Sequence, residues 1–114
     1  MLRKILLIAC TIMISLVFIG APLSAESGNK RKGKYTYRKV YKACQQRGEV
    51  EVAKPVLNPD AHTQAEWTQI FESKDFDQFG CKEEWSQLDD TQLQDIYSYL
   101  HAHGSDSPTP AKCK

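Results

Sequence analysis

The best-specified segment of the sequence lies near its C-terminal end, between Leu88 and Gly104. Asp89 is a good helix N-cap, and Gln92 three positions later completes a capping box. Apolar residues then recur at the spacing of one helical face, namely Leu93, Ile96, Tyr97 and Leu100. Gly104 is the residue expected just beyond the helix end. Because no segment shows the alternation of a strand, the sequence predicts a small all-α domain of three to four short helices.

An earlier segment carries the same kind of helical signal. From Lys34 onward, apolar side chains recur on one face, namely Tyr37, Val40, Tyr41 and Cys44. Lysines and an arginine fill the opposite face, and Gly48 is a good stop signal. The pattern predicts a first helix that ends near Gly48 and buries Cys44.

Two shorter helical segments are expected between these helices. Thr63 lies three residues ahead of Glu66, which predicts a capping box and a helix from Gln64 to Ser73. Residues 82–85 are expected to add one more helical turn. Pro55 and Pro59 exclude a regular helix from the connection before Thr63, so that connection is predicted to be a loop.

The N-terminal residues 1–25 have the pattern of a secretory signal peptide. Arg3 and Lys4 are basic, residues 5–19 are almost wholly apolar, and Ala25 stands at a suitable cleavage position. Cleavage there would leave a flexible, polar lead-in at 26–33 and a domain at 34–114. Two alternatives stay open, namely retention of the segment as a membrane anchor and lipidation at Cys10. The domain is therefore expected to be periplasmic or otherwise exported.

Export places the cysteines in an oxidising compartment, where thiols tend to pair. If Cys10 leaves with the signal peptide, Cys44, Cys81 and Cys113 remain. At most one internal disulfide then forms, and one thiol is left over. A domain of this size is near the lower limit for stability from a core alone, so a disulfide or a buried prosthetic group is expected to support it. The proline-containing tail before Cys113 is typical of a strap fastened by a disulfide.

Charge is balanced in the chain as a whole and uneven along it. The formal net charge is +1, yet the segment from Lys30 to Lys42 holds basic residues and no acid. Acids dominate from Glu66 to Asp95. A basic face of this kind steers association with acidic surfaces, and a charge run is also typical of a solvated chain terminus. Nucleic acid is not expected as a partner, because the exported chain has no net basic excess.

Three stretches resemble the class I cytochrome c family, most closely the small single-haem cytochromes of periplasmic respiratory systems. Residues 33–44, which begin with Gly33-Lys34 and end on Cys44, are similar to the segment that leads into the CxxCH haem-attachment motif of that family, and residues 88–100 are similar to its last helix. The segment from His101 to Cys113 is similar to the HAADSxxPxxC tail. The resemblance covers most of the chain after the signal peptide and implies a fold in which the first and last helices cross.

The resemblance also implies a haem site that has degenerated. Cys44 matches the first haem-linking cysteine, whereas Arg47 and Gly48 stand where the second cysteine and the proximal histidine belong. No methionine follows Met13, so the usual distal ligand is absent as well. The resemblance further implies a disulfide between Cys81 and Cys113. The competing pair is Cys44 with Cys81, which would place a disulfide in the vacated pocket.

The function implied is that of an exported cytochrome-c-like protein without covalent haem. It is expected to be a binding or structural partner of redox proteins or a respiratory complex, through the basic Lys30–Lys42 segment, rather than an enzyme. It would contact a membrane only if the N-terminal segment were retained or lipidated. Two alternatives stay open: a haem electron carrier with a single thioether at Cys44 and an unconventional ligand, and a thiol redox protein using Cys44. The three histidines are interpreted as surface or capping residues and not as metal ligands, namely His62, His101 and His103.

Overall fold

The computed structural model describes residues 28–110, which form four α-helices and two short 3₁₀ turns. The helices are α1 (Lys30–Arg47), α2 (Gln64–Ser73), α3 (Lys82–Ser86) and α4 (Asp90–Ala102). The 3₁₀ turns are Pro59–Ala61 and Asp77–Phe79, and no described residue lies in a strand. The prediction of a small all-α domain is therefore confirmed. The signal peptide prediction at residues 1–25 falls outside the described residues, as do Cys10 and Cys113.

The first and last helices, α1 and α4, pack against each other along their apolar faces. Tyr37 and Val40 from α1 and Ile96 and Leu100 from α4 are all buried. The backbones approach so closely at the start of α1 that a Cβ atom at Gly33 would overlap the carbonyl oxygen of α4 that faces it. Glycine at this position therefore sets the distance between the two helices.

Helix α1 begins at Lys30, four residues earlier than the sequence predicted, so the flexible lead-in expected at 26–33 is wrong for residues 30–33. The Asn29 side chain caps the helix by accepting a hydrogen bond from the Lys32 amide at 3.0 Å. The Asn29 amide in turn donates to Asp95 Oδ1 of α4 at 2.8 Å. A tertiary contact thus orders the first turn of a helix that has no apolar signal of its own there.

Three other helix boundaries form at the capping and stop residues that the sequence predicted. Thr63 and Glu66 form a reciprocal capping box on α2, and Asp89 and Gln92 form one on α4. Gly48 ends α1 with a left-handed φ of 92°. The predictions of these three helix boundaries are confirmed.

Gly104 follows the end of α4 as expected, but it does not adopt the left-handed conformation that usually selects glycine there. Its missing side chain matters for another reason. A Cβ at this position would come within 3.1 Å of the Gln64 amide nitrogen and 3.3 Å of the His62 carbonyl oxygen. Gly104 therefore lets the tail cross closely over the start of α2. Hydrogen bonds hold that crossing, from the Gln64 amide to Asp106 Oδ1 and from the Ser105 amide to His62.

The centre of the domain is filled by stacked aromatic rings. Phe79, which is fully buried, lies between Trp85, at 4.4 Å between ring centroids, and Trp67, at 6.0 Å. Trp67 donates its indole N–H to the Pro59 carbonyl at 2.8 Å, so the ring is both packed and satisfied. Tyr41 donates its hydroxyl to the Phe79 carbonyl at 2.9 Å. The interpretation of Trp67 as a core residue is consistent with this packing, and the aromatic centre ties α1 to the turn that precedes α3.

Candidate functional site

Cys44 lies on the buried face of α1, as predicted, and its sulfur is bonded to that of Cys81. The two Cα atoms are 5.8 Å apart, and both side chains are almost fully buried. The pairing of Cys81 with Cys113 is therefore wrong, because Cys81 has only one sulfur to share. The competing pair named from the sequence is the one that forms. Cys113 itself lies outside the described residues.

The position of Phe79 explains why Cys81 is the partner. The hydrogen bond from Tyr41 to the Phe79 carbonyl holds the 3₁₀ turn against α1 one helical turn before Cys44. Cys81 then follows with a left-handed φ of 47°, an uncommon conformation for a residue with a side chain. Its amide donates a hydrogen bond of 2.6 Å to Glu49 Oε2, which holds the strained turn in place.

Arg47, which the resemblance aligns with the second cysteine of the cytochrome motif, binds two carboxylates beside the disulfide. Its Nη2 lies 2.7 Å from Glu84 Oε1 and its Nε lies 2.9 Å from Glu84 Oε2, a bidentate pair. The same Nη2 lies 3.1 Å from Glu49 Oε1. We call these five residues the disulfide–carboxylate cluster: Cys44, Arg47, Glu49, Cys81 and Glu84.

The charges of this cluster compensate one another. The hydrogen bonds from Arg47 hold the pKa of the Glu84 carboxyl below its ordinary value. The same contacts raise the pKa of Arg47, so the guanidinium stays charged. Glu84 is only 8% exposed, and an unpaired carboxylate there would be unfavourable. Arg47 therefore has a structural role that the sequence motif did not reveal.

The cluster does not fit a covalently attached haem. The sulfur of Cys44 is already bonded, and Arg47 supplies no second thiol. The resemblance aligns Gly48 with the proximal histidine, and the φ of 92° at Gly48 belongs to a conformation that histidine adopts only with strain. Phe79, Trp85 and the other buried aromatic rings fill the core of the domain.

The cluster also does not form a metal site in this oxidised state. The side-chain ligand atoms of Cys44, Cys81 and Glu84 lie within 4.8 Å of one another. However, the two sulfurs are bonded to each other and the carboxylate binds Arg47, so no atom of the set is free to coordinate an ion. Metal binding by thiolate ligands would first need the disulfide to be reduced.

The described histidines are occupied by local contacts. His62 packs edge-on against Trp67, and its Nε2 lies 2.7 Å from Gln78 Oε1. His103 Nδ1 lies 2.7 Å from the Thr109 carbonyl oxygen, which places it beside the tail. Burial lowers the pKa of His101, which lies in the last turn of α4. All three histidines are half-buried, His62 just before α2 and the other two at the end of α4.

The exposed face of α1 forms a shallow groove with the loop that follows the helix. We call it the basic groove; its volume is about 530 Å³ and it is lined by Tyr35, Arg38, Lys39, Lys42, Ala43, Gln46 and Ala53. The sequence predicted the basic residues of this face but not the part of Tyr35, whose side chain is 70% exposed. The sequence did indicate that Tyr35 is exposed, because this residue does not fall on the apolar face defined by Tyr37, Val40 and Tyr41.

Comparisons with known proteins do not identify a family. No family model, no curated protein and no solved structure matches this chain. Among residues 28–110, no helix is long and apolar enough to cross a membrane. The likeness to cytochromes c therefore depends on the sequence motifs alone.

Proposed function

We propose that this chain is an exported, cytochrome-c-like domain that works without covalent haem, as a binding or structural partner of a respiratory electron-transfer system. The observation that carries the proposal is the bond between the sulfurs of Cys44 and Cys81. A thioether to a haem vinyl group would need Cys44 as a free thiol. Cys44, which the resemblance aligns with the haem-linking cysteine, instead fastens α1 to the turn before α3.

The aromatic packing supports the same proposal. In a small domain, removing a large prosthetic group would leave a cavity, and cavities are costly. Here Phe79 and Trp85 stack in the centre and Trp67 lies on the other side of Phe79. The disulfide and these rings together supply the stabilisation that a haem gives to the domains that this chain resembles.

The surface supports a binding role rather than catalysis. Among residues 28–110, the one group of cysteine, histidine and acidic side chains close enough to share an ion is Cys44, Cys81 and Glu84, and it is engaged by the disulfide and Arg47. The exposed face of α1, in contrast, carries cations that no carboxylate in the described part of the chain compensates. An uncompensated charged face is suited to association with a partner of opposite charge.

Absorption and mass spectra of the purified protein test the haem-free state. The full chain is expressed in cells that export it and attach haem to c-type cytochromes, with a genuine cytochrome c as a positive control. We expect a colourless protein whose mass is that of the polypeptide and increases on reduction by the hydrogens of the opened disulfide. A Soret band that survives acid–acetone extraction would show covalent haem and overturn the proposal in favour of the electron carrier.

Deleting the gene tests the respiratory role. We expect membranes of the deletion strain to show less assembled respiratory complex or slower respiratory oxygen consumption, and the full chain supplied in trans to restore both. Unchanged complexes and unchanged oxygen consumption would contradict the assignment to a respiratory system. The haem experiment is independent of this outcome.

A further inference from the structure

The two halves of the described domain carry opposite charge. Residues 28–58 contain nine lysines and arginines against two glutamates, whereas residues 59–110 contain two lysines against eleven acids. Helix α1 alone carries eight of the basic residues and no acid. The exposed face of α1 therefore presents positive charge that attracts an acidic partner.

The cations of the basic groove have no carboxylate partner, in contrast to Arg47, Lys74 and Lys82. Lys74 lies 3.9 Å from Asp90, Lys82 lies 3.4 Å from Asp77, and Arg47 is held in the disulfide–carboxylate cluster. Within residues 28–110, no carboxylate lies within ion-pair distance of the side chains of Arg38, Lys39 and Lys42; the ion pairs of this part of the chain involve other residues. The basic groove thus concentrates positive charge that the protein itself does not neutralise.

The basic groove also offers apolar surface between its cations. Tyr35 lies one helical turn before Arg38 and Lys39, with most of its ring exposed, and the methyl groups of Ala43 and Ala53 line the same groove. Aromatic rings in exposed positions are typical anchors at protein interfaces. A partner that fits the groove therefore has negative charge together with at least one apolar side chain.

We infer that the basic groove binds an acidic, extended peptide segment of the partner protein, with an apolar side chain of that segment packed against Tyr35. The residues of α1 that line the basic groove, from Tyr35 to Gln46, extend for about 16 Å at 1.5 Å per residue, which matches about five residues of extended chain. Acidic side chains of such a segment pair with Arg38, Lys39 and Lys42. The inference rests on the proposed binding function and names the chemistry of the partner.

The charge distribution favours a short protein segment over a larger polyanion. A nucleic acid duplex or an anionic bilayer would extend beyond the groove to Asp89 and Asp95, which line the neighbouring depression on the other side of Tyr35. These carboxylates repel a polyanion within a Debye length of about 10 Å at ordinary salt. A short peptide contacts the basic groove alone. The peptide also has an apolar side chain that packs against Tyr35, whereas a phosphate backbone has none.

Peptide binding to charge-reversed variants tests the inference. The probe is a fluorescein-labelled hexapeptide of aspartate and glutamate residues with one central phenylalanine, and anisotropy is measured against the purified full chain at low ionic strength. We expect saturable binding that weakens as salt is added. The double variant Arg38→Glu/Lys42→Glu is expected to weaken binding by about tenfold or more, since it removes two attractive contacts and adds repulsion.

A matched variant separates the groove from net charge. Lys74→Glu/Lys82→Glu changes the net charge of the chain by the same amount on the acidic half, and we expect it to bind the peptide within about twofold of the wild type. Tyr35→Ala is expected to weaken binding of the phenylalanine peptide and not of an all-acidic peptide. Circular dichroism checks that each variant keeps its helices.

Four outcomes would overturn the inference. They are absence of binding, equal loss in the two charge-reversed variants, insensitivity to Tyr35→Ala, and binding to duplex DNA or to anionic lipid vesicles as tight as binding to the peptide. A colourless protein that fails these tests refutes the peptide site and leaves the haem-free function standing. A haem-containing protein refutes the proposed function whether or not the peptide binds.

Discussion

Replacing Cys44 and Cys81 together by alanine should reveal how much the disulfide stabilises the domain. The bridge joins residues separated by 37 positions, and the loop-entropy relation gives about 13 cal/mol/K, or about 4 kcal/mol at 25 °C, for a loop of that length. Alanine is preferred to serine because both positions are buried, and a buried hydroxyl without a partner would add its own cost.

This loss is large relative to the stability expected for the whole domain. Globular domains gain roughly 0.05–0.15 kcal/mol per residue, so a domain spanning residues 28–110 is expected to have a free energy of unfolding of roughly 4–12 kcal/mol. Removal of the disulfide therefore takes between a third and all of it. We expect the double variant to be at most marginally folded at room temperature and better folded when cooled toward the temperature of maximum stability.

Urea unfolding followed by tryptophan fluorescence is a suitable assay, because Trp67 and Trp85 are both buried. The wild type is measured with and without a reductant, beside the double alanine variant. The reduced wild type and the variant should unfold at a similar, lower urea concentration. Their m-values should exceed that of the oxidised protein, since an unfolded chain without a cross-link exposes more surface.

Cys113→Ala is the control variant, and its stability also tests whether Cys81 pairs with Cys113 instead of Cys44. Because Cys81 is bonded to Cys44, the variant should unfold like the oxidised wild type. Suppose instead that Cys113→Ala lost about 4 kcal/mol and Cys44→Ala lost little. The disulfide would then join Cys81 to Cys113, and the reasoning from the cluster would fail. Peptide mapping of the unreduced protein reports the linked cysteines directly.

Three further variants probe the packing and the charges. Gly33→Ala should destabilise the domain by about 1–3 kcal/mol, because its methyl group would meet the backbone of α4 in a tightly packed contact. Glu84→Gln should make the free energy of unfolding less sensitive to acid. Arg47 lowers the pKa of Glu84, so the ionised Glu84 stabilises the domain above the ordinary carboxyl pKa of about 4.3. This stabilisation is lost as the pH falls below that value. Tyr41→Phe should reduce the loss of stability in alkali. Burial raises the pKa of Tyr41 from its ordinary value of 10.0 to about 12, so its contribution is lost as the pH rises through that window. Urea midpoints as a function of pH measure all three effects.

Each of these predictions has a result that contradicts it. For Gly33→Ala, the comparison is Gly48→Ala, where an added Cβ meets no neighbouring atom within 4 Å and only the left-handed φ is unfavourable. A Gly33→Ala variant as stable as the wild type would rule out the close contact. Acid curves of Glu84→Gln that run parallel to those of the wild type would exclude a lowered pKa. If the urea midpoints of Tyr41→Phe fall in alkali as those of the wild type do, other groups cause the loss of stability.

Local signals in the sequence predicted the helix boundaries that depend on neighbouring residues. The capping boxes at Thr63 and Asp89 act between positions three residues apart, so no distant contact is needed to form them. The burial of Cys44 followed from helical periodicity for the same reason. The start of α1 was missed, because Lys30 to Gly33 have no apolar period and are ordered through Asn29 and α4.

The sequence by itself determined that the chain is helical, which faces are apolar, and that Cys44 lies on the buried face of the first helix. Only the tertiary structure decided which cysteine pairs with Cys44 and what Arg47 does. Both depend on distances between segments far apart in the chain: the turn after Phe79 brings Cys81 to α1, and α3 brings Glu84 to Arg47. Periodicity and capping depend on residues within one or two helical turns of each other. They do not indicate which distant segments come into contact when the chain folds.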